Sequence, residues 1–266
     1  MGLKLRIGAA FDRALHATLA SRLFPLTRYF PHGISWLYDL QRFMGTRRLG
    51  TVFDVGANTG QTATSVLRYA PQAEIHSFEP ADEPFATLQA RFGRRRNVHL
   101  YKLALGSRAG TLDLRLRANS ELNTLVPGDD GGRTQPVPVA TVDEIVAVRG
   151  LSHLDVMKID VQGWEREVLR GAAGLIARHD LVFVLAEMAF RADRREMQQF
   201  GELHDHLEAQ GFVLCGLYEP VRYGPRKEFV LFANGLYLHP GARLKWTEMA
   251  AEWTEWLTTQ DPREGH

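Results

Sequence analysis

Residues 51–60, TVFDVGANTG, restrict the possible folds more than any other stretch of the chain. The apolar run of Val52, Phe53 and Val55 is interrupted by Asp54 and Gly56. It then passes through Asn58 and Thr59 into the helix-compatible segment 61–69. The pattern is strand, tight turn, helix. In an open α/β sheet such a turn lies beyond the carboxyl end of the strand, where ligands bind and where glycine lets the backbone approach them closely. A nucleotide-like cofactor is the expectation for this turn.

Strand and helix signals then alternate, as a doubly wound parallel sheet requires. Residues 74–78 read as a strand ending at Glu79 and Pro80, 83–92 as a helix, and 97–103 as the third strand. Leu112, Leu114 and Leu116 after Gly110 predict an antiparallel strand within 106–117, and the Gly- and Pro-bearing segment 119–138 reads as a mobile loop. A short helix is expected over 139–148, a buried strand over 154–159 ended by Asp160, and one amphipathic helix over 163–178. An apolar strand over 181–186 ends at Glu187, and a helix over 194–210 is capped by Gly211. Segments 212–217 and 228–233 form a terminal strand pair. The expected class is α/β: a doubly wound, mostly parallel sheet with an antiparallel terminal pair and helical additions at both ends. Residues 1–50 and 236–266 are read as helical extensions of a domain over 51–235.

In the first extension, Leu3, Ile7, Phe11, Leu15, Leu19 and Leu23 follow helical spacing, so residues 1–30 suit an amphipathic helix resting on the domain. A membrane surface or a role as a transit segment are the alternatives. A second helical stretch covers 34–44. Over 244–257, Trp246, Met249, Ala250, Trp253 and Leu257 make a stripe suited to packing or to a homo-oligomer contact through the terminal helices, and 261–266 read as a frayed end.

Charge excludes some partners. With 32 basic and 31 acidic residues the net charge is +1, too little for a general field toward nucleic acid, so no nucleic-acid partner is expected. Arg94 to Arg96 form a local basic run, read as a solvated helix end and leaving an RNA substrate as an alternative. A single cysteine, Cys215, excludes intrachain disulfides and Cys-rich metal sites; its apolar neighbours predict a buried thiol. No apolar run reaches the roughly 18 residues of a membrane span, and the first residues lack a secretory pattern, so a cytoplasmic location is expected.

The turn itself narrows the cofactor. Counting a dinucleotide G-x-G-x-x-G motif from Gly56 puts Asn58 and Gln61 at the second and third glycine positions, a mismatch for pyrophosphate. Glu79, at the end of the second strand, is placed to accept both ribose hydroxyls. Ribose without pyrophosphate points to an adenosyl compound such as S-adenosylmethionine.

DVGANTGQ at 54–61, Phe78-Glu79-Pro80, Ala104-Leu105-Gly106, IDVQG at 159–163 and EVLRGA at 167–172 occur in order. This set resembles the FkbM family of S-adenosylmethionine-dependent methyltransferases over about 51–188. The resemblance implies a class I, Rossmann-like methyltransferase fold and O-methylation of a hydroxyl on a sugar, glycolipid or polyketide-like small molecule, with a small-molecule or glycan acceptor as partner. Carried onto this chain, it implies that Asp54 and the turn Gly56, Ala57, Asn58, Thr59 and Gly60 hold the methionine end. Glu79 and Pro80 border the ribose and Leu103 and Ala104 the adenine, with Asp160 a further cofactor-binding candidate beside the crevice. The family more often carries Glu where this chain has Gln162.

Methyl transfer to a hydroxyl needs alignment and a base for one proton. Asp160 and Glu187, at the ends of adjacent expected strands, are the candidates, with helix capping the other reading for Asp160. Asn119, Ser120 and Asn123 in the inserted segment are candidates for acceptor contact, or are simply solvated loop residues. No metal is demanded. His204 and His206 fall on different helix faces and His153 precedes a strand at its amino end, while Asp160 with Glu187 would suit magnesium without requiring it. A nicotinamide-binding oxidoreductase and a non-catalytic cofactor-binding scaffold remain as competing classes.

Overall fold

The computed structural model describes residues 31–128, 132–191, 193–194 and 196–246. The expected helix within 1–30, the part of the aromatic stripe beyond 246 and the terminal tail lie outside the described residues. Within them, α1 (Trp36–Met44) precedes β1 (Thr51–Val55), α2 (Gln61–Tyr69), β2 (Glu74–Phe78), α3 (Asp82–Phe92) and β3 (Val98–Tyr101). Then come β4 (Ala104–Leu105), β5 (Gly110–Arg115), β6 (Thr134–Ala140), α4 (Val142–Arg149), β7 (Leu154–Ile159), α5 (Glu165–Arg170) and α6 (Ala173–Ala177). The chain continues through β8 (Leu181–Ala189), α7 (Phe200–Glu208), β9 (Val213–Tyr223), β10 (Phe229–Leu238) and α8 (Pro240–Trp246).

Seven strands form the main sheet in the order β3-β2-β1-β7-β8-β10-β9. β1, β2, β3, β7 and β8 are mutually parallel, and β10 runs antiparallel to both β8 and β9. This is the expected class I methyltransferase arrangement with its antiparallel terminal pair. Alternate strand residues face opposite sides. Val52, Ile75, Val156, Phe183, Leu185 and Leu236 pack against α1, α2 and α3. Phe53, Met157, Ile159, Val184 and Tyr237 pack against α4, α5, α6 and α7 on the other face. Burial along the whole of β7, and along β8 except at Glu187, follows from this double cover.

Several expected boundaries move, each for a local reason. The third strand stops at Tyr101, and Ala104–Leu105 leave it to pair with β6 in a separate three-stranded sheet, β4-β6-β5. The segment expected to be a mobile loop therefore contains β6, antiparallel to β5. Its Pro136 and Pro138 alternate with buried Val137 and Val139. Such spacing is tolerable where β4, only two residues long, leaves most of one side of β6 unpaired. α4 begins at Val142 because Thr141 forms a capping box with Glu144, the Thr141 hydroxyl accepting from the Glu144 amide at 3.1 Å and the Glu144 carboxylate from the Thr141 amide at 2.8 Å.

The single helix expected over 163–178 is two. Any side chain at Gly171 would collide with the Gly106 carbonyl, and Asp143 accepts hydrogen bonds from the amides of Gly174 and Leu175, both at 2.8 Å, restarting the chain as α6. The helix expected from 194 begins only at Phe200, because the Ala189 amide donates to Gln198 O at 2.8 Å and residues 189 and 199 form a bridge extending β8. β8 accordingly runs past Glu187 to Ala189 instead of ending there. Cys215 is half-buried, not buried, since β9 is one of the two edge strands of the sheet. Among the described residues no helix is long and apolar enough to cross a membrane.

Candidate active site

After β1 the backbone adopts positive φ at Gly56 (81°), Asn58 (46°) and Gly60 (88°). A side chain at Gly56 would meet the Asp160 carbonyl and one at Gly60 the Phe92 ring, so glycine is required at both for conformation and for packing. The amides of the turn have fixed partners: Gly56 N and Ala57 N donate to Phe78 O at 3.0 and 2.9 Å, and Gly60 N to Ala57 O at 2.8 Å. Asn58 N donates to Glu79 Oε2 and Ala81 N to Glu79 Oε1, both at 2.9 Å. Glu79 is thus clamped between two strand ends at 6% exposure. Desolvation pushes its pKa up to about 7, against the pull of the Ala81 and Asn58 amides.

These groups open onto a cavity of about 1040 Å³ at the carboxyl end of the sheet. Gly56, Ala57, Asn58, Glu79, Pro80, Ala104, Asp160 and Glu187 line it. Asp54, Thr59, Gly60 and Leu103 do not. Asp54 lies beneath the turn, fully buried. Desolvation raises its pKa to about 6, opposed first by Lys158 and then by the Thr62 hydroxyl and Ala63 amide, neither of which reaches full hydrogen-bond geometry. The Thr59 carbonyl is bound by Arg91. Leu103 packs into the apolar cluster of the α4–α7 face. The apolar wall near Ala104 comes instead from Leu105, Leu114, Leu125 and Trp164. The Trp164 indole Nε1 is buried without a hydrogen-bond partner.

Across the cavity, Lys158 Nζ donates to Asp160 Oδ2 at 2.8 Å, while Gln162 Nε2 donates to Asp160 Oδ1 at 2.9 Å and to Glu187 Oε2 at 2.8 Å. Gln162 therefore bridges the two candidate catalytic carboxylates. Burial opposes the charge of Lys158, but Asp160, Asp54 and Glu187 outweigh it and hold its pKa above the ordinary lysine value. Desolvation, reinforced by Asp160, raises the pKa of Glu187 to about 8. Asp160 is not a helix cap: α5 starts with Trp164 at the cap and no side-chain capping bond. The amides of Val161 and Gly163 go to buried Glu165 at 3.0 and 2.9 Å.

The remaining wall was not legible from spacing. Asn234 on β10 lies opposite Glu187 on β8. Its Nδ2 donates to Glu219 Oε2 at 2.9 Å, and its Oδ1 is buried without a hydrogen-bond partner. Trp36, Val221 and Phe232 add apolar surface beside this pair. In the inserted segment, Ser120 Oγ accepts from Asn58 Nδ2 at 3.2 Å, tying the loop to the turn. Asn119 and Asn123 shape the loop, accepting from the amides of Glu121 and Arg117 at 3.2 and 2.8 Å, and Asn123, unlike Asn119, also lines the cavity. The only advance signal for Asn234 was a polar residue inside an apolar strand sequence.

The family described as Methyltransferase FkbM domain matches residues 54–214. The 31-O-demethyl-FK506 methyltransferase FkbM of Streptomyces tacrolimicus is 27% identical over 151 residues, covering 45% of this chain and 58% of that protein. The 2-O-methyltransferase NoeI of Sinorhizobium fredii is 23% identical over 149 residues, covering 50% and 61%. The chain thus spans less than two thirds of the length of these curated relatives. Among solved structures, the fibrillarin of Aeropyrum pernix with natively bound S-adenosyl-L-methionine aligns with a TM-score of 0.41 at 15% identity, covering 71% of this chain and 67% of that one. The METTL16 methyltransferase domain aligns with a TM-score of 0.46 at 12% identity, covering 85% and 78%.

Proposed function

Since the chain belongs to the family of the FkbM methyltransferase domain, we propose that it is an S-adenosylmethionine-dependent O-methyltransferase acting on a hydroxyl of a sugar, glycolipid or polyketide-like small molecule. The observation that carries this reading is the Glu79 clamp. A buried carboxylate with one backbone donor on each oxygen retains further acceptor capacity, suited to a pair of ribose hydroxyls. Asp54, Gly56, Ala57, Asn58, Thr59 and Gly60 build the bend that holds the methionine end, Glu79 and Pro80 flank the sugar, and Ala104 with Trp164 borders the base. The Trp164 indole N–H is an unused donor on that side. When bound, the cofactor supplies an electrophilic methyl group.

The chain's own residues then handle one proton. Glu187 takes it from the acceptor hydroxyl; its raised pKa suits a base working near neutral pH. Asp160, fixed on both oxygens by Lys158 and Gln162, orients the acceptor. Asn234 Oδ1 offers a second acceptor atom beside Glu187, appropriate to a neighbouring hydroxyl.

Calorimetric titration with S-adenosylmethionine and S-adenosylhomocysteine tests the reading. Wild type is expected to bind both, and Glu79→Ala to bind at least about tenfold more weakly, the loss of a charge-assisted contact worth about 1.5 to 3 kcal/mol. Equal binding by the two proteins removes Glu79 from the site. Retention of NADH with no response to either adenosyl compound selects the oxidoreductase reading.

A further inference from the structure

Away from the cavity, on the sheet face covered by α4, Glu74 begins β2 and His76 follows two residues later on the same side. The parallel register of β2 and β3 sets His99 directly beside His76. Glu74 Oε1 lies 3.3 Å from His76 Nε2 and 3.0 Å from His99 Nε2, and all three ligand atoms fall within 4.8 Å of one another. A tetrahedral zinc ion with bonds of about 2.0–2.1 Å holds its ligand atoms about 3.3 Å apart.

The His76 side chain is 0% exposed, yet its Nε2 has no hydrogen bond, because the approach of Glu74 lacks the required geometry. Its other nitrogen, Nδ1, is 2.9 Å from the Tyr101 hydroxyl, the kind of outer partner that orients a metal-bound imidazole. Glu74 and His99 are 44% and 28% exposed, which provides an entry path and room for water as a fourth ligand. None of the three lines the cofactor cavity.

We propose that Glu74, His76 and His99 form a zinc site, with two imidazoles, one carboxylate and a water, that fastens the outer strand β3 to β2. One neighbour competes with the ion. Arg149, exposed at the end of α4, places NH2 2.7 Å from His99 Nδ1. A guanidinium can only donate, so this contact makes His99 Nδ1 an acceptor and puts the ring proton on Nε2, toward Glu74. Zinc binding requires the other tautomer, with Arg149 swung off the ring.

The test uses the full chain, freed of metal with a chelator and titrated with Zn²⁺ by calorimetry, with thermal melting and the visible spectrum of added Co²⁺ as second readouts. One ion per chain, a raised melting temperature and a four-coordinate cobalt spectrum are expected. His99→Ala and Glu74→Gln, at partly exposed positions, should each weaken binding at least about tenfold, while Arg149→Ala should tighten it. Undiminished binding of S-adenosylmethionine serves as the folding control, and failure of that control in wild type would count against the methyltransferase reading alone. Absence of zinc binding by wild type overturns the site, and so does affinity unchanged in His99→Ala, which would place the ion on other histidines.

Discussion

At the amino end of the main sheet, buried Asp155 accepts from the amides of Gly50 and Thr51 at 2.7 and 3.0 Å and pairs with Arg47 at 2.9 Å. Asp180, just before β8, is held by Arg178 at 3.0 Å and Lys245 at 2.5 Å. At the carboxyl end of the same strands, Asp54, Glu79, Glu165 and Glu187 are buried or nearly so, and all have raised pKa values. Lys158 is the cation among them, and most of their support comes from backbone amides and one glutamine. The first set of acids is neutralised for stability. The second is left under-neutralised around a cavity, which costs stability and suits a site that must receive a sulfonium and remove a proton.

The sharpest way to break this contrast is to delete one acid from each end. Asp155→Ala removes the buried acceptor of the Gly50 and Thr51 amides and the partner of half-buried Arg47, and should lower stability by about 2–3 kcal/mol, read as the shift in urea midpoint. Glu187→Gln should leave that midpoint unchanged or raise it; a comparable loss in both variants would dissolve the distinction. The same Glu187→Gln protein should lose about 100-fold or more in methyl-transfer rate with near-normal S-adenosylmethionine affinity, as expected for removing a general base. Retained turnover would hand the proton to another group.

A third prediction separates the ends by pH. Acids whose folded pKa is raised keep protons that the unfolded chain has already released. The carboxyl end should therefore make stability fall as pH rises from about 4.5, the ordinary carboxylate range, toward 8, where Glu187 titrates. Asp180 works the other way. Burial opposes its ionisation, but Lys245 and Arg178 outweigh that and lower its pKa, so its contribution is present above the ordinary aspartate value and disappears as pH falls below it. Burial lowers the pKa values of His76, His206 and His239, which adds stability as pH rises toward about 6.5, so the contrast is read above that. Melting temperature should decline between about pH 6.5 and 8, and less steeply in Glu187→Gln, and equal slopes in the two proteins would contradict the charge assignment. The smallest effect belongs to Lys245→Ala, whose half-exposed ion pair should cost no more than about 1 kcal/mol.

The chemistry of the first turn was legible because glycine at 56 and 60 answers a local demand, positive φ and close packing, that sequence states directly. Strands β1, β2 and β7 were equally plain, being apolar runs between turn residues. The break at Gly171 was not, since it depends on Gly106 and Asp143 arriving from elsewhere in the chain. Nor was β6, whose prolines argue against a strand until the two-residue length of β4 is known. In the site, Glu79 and Asp160 could be placed from strand ends alone, while Glu187 reaches the cavity although β8 runs two residues past it. The Gln162 bridge, Trp164, Asn234 and the pairing of His76 with His99 arise from contacts between distant segments, about which spacing along one segment is silent. Leu103 failed as a wall residue because β3 stops two residues before it.

The bend after β1 has a consequence for which small molecules can compete for the cavity. Its N–H groups at Gly56, Ala57, Asn58 and Gly60 already point to Phe78, Glu79 and Ala57. A diphosphate arriving at these four amides would find each already donating and the Glu79 carboxylate close by. Phosphorylated nucleotides are thus disfavoured at this part of the bend by committed amides and the Glu79 carboxylate together, whereas a sulfonium cation meets neither obstacle.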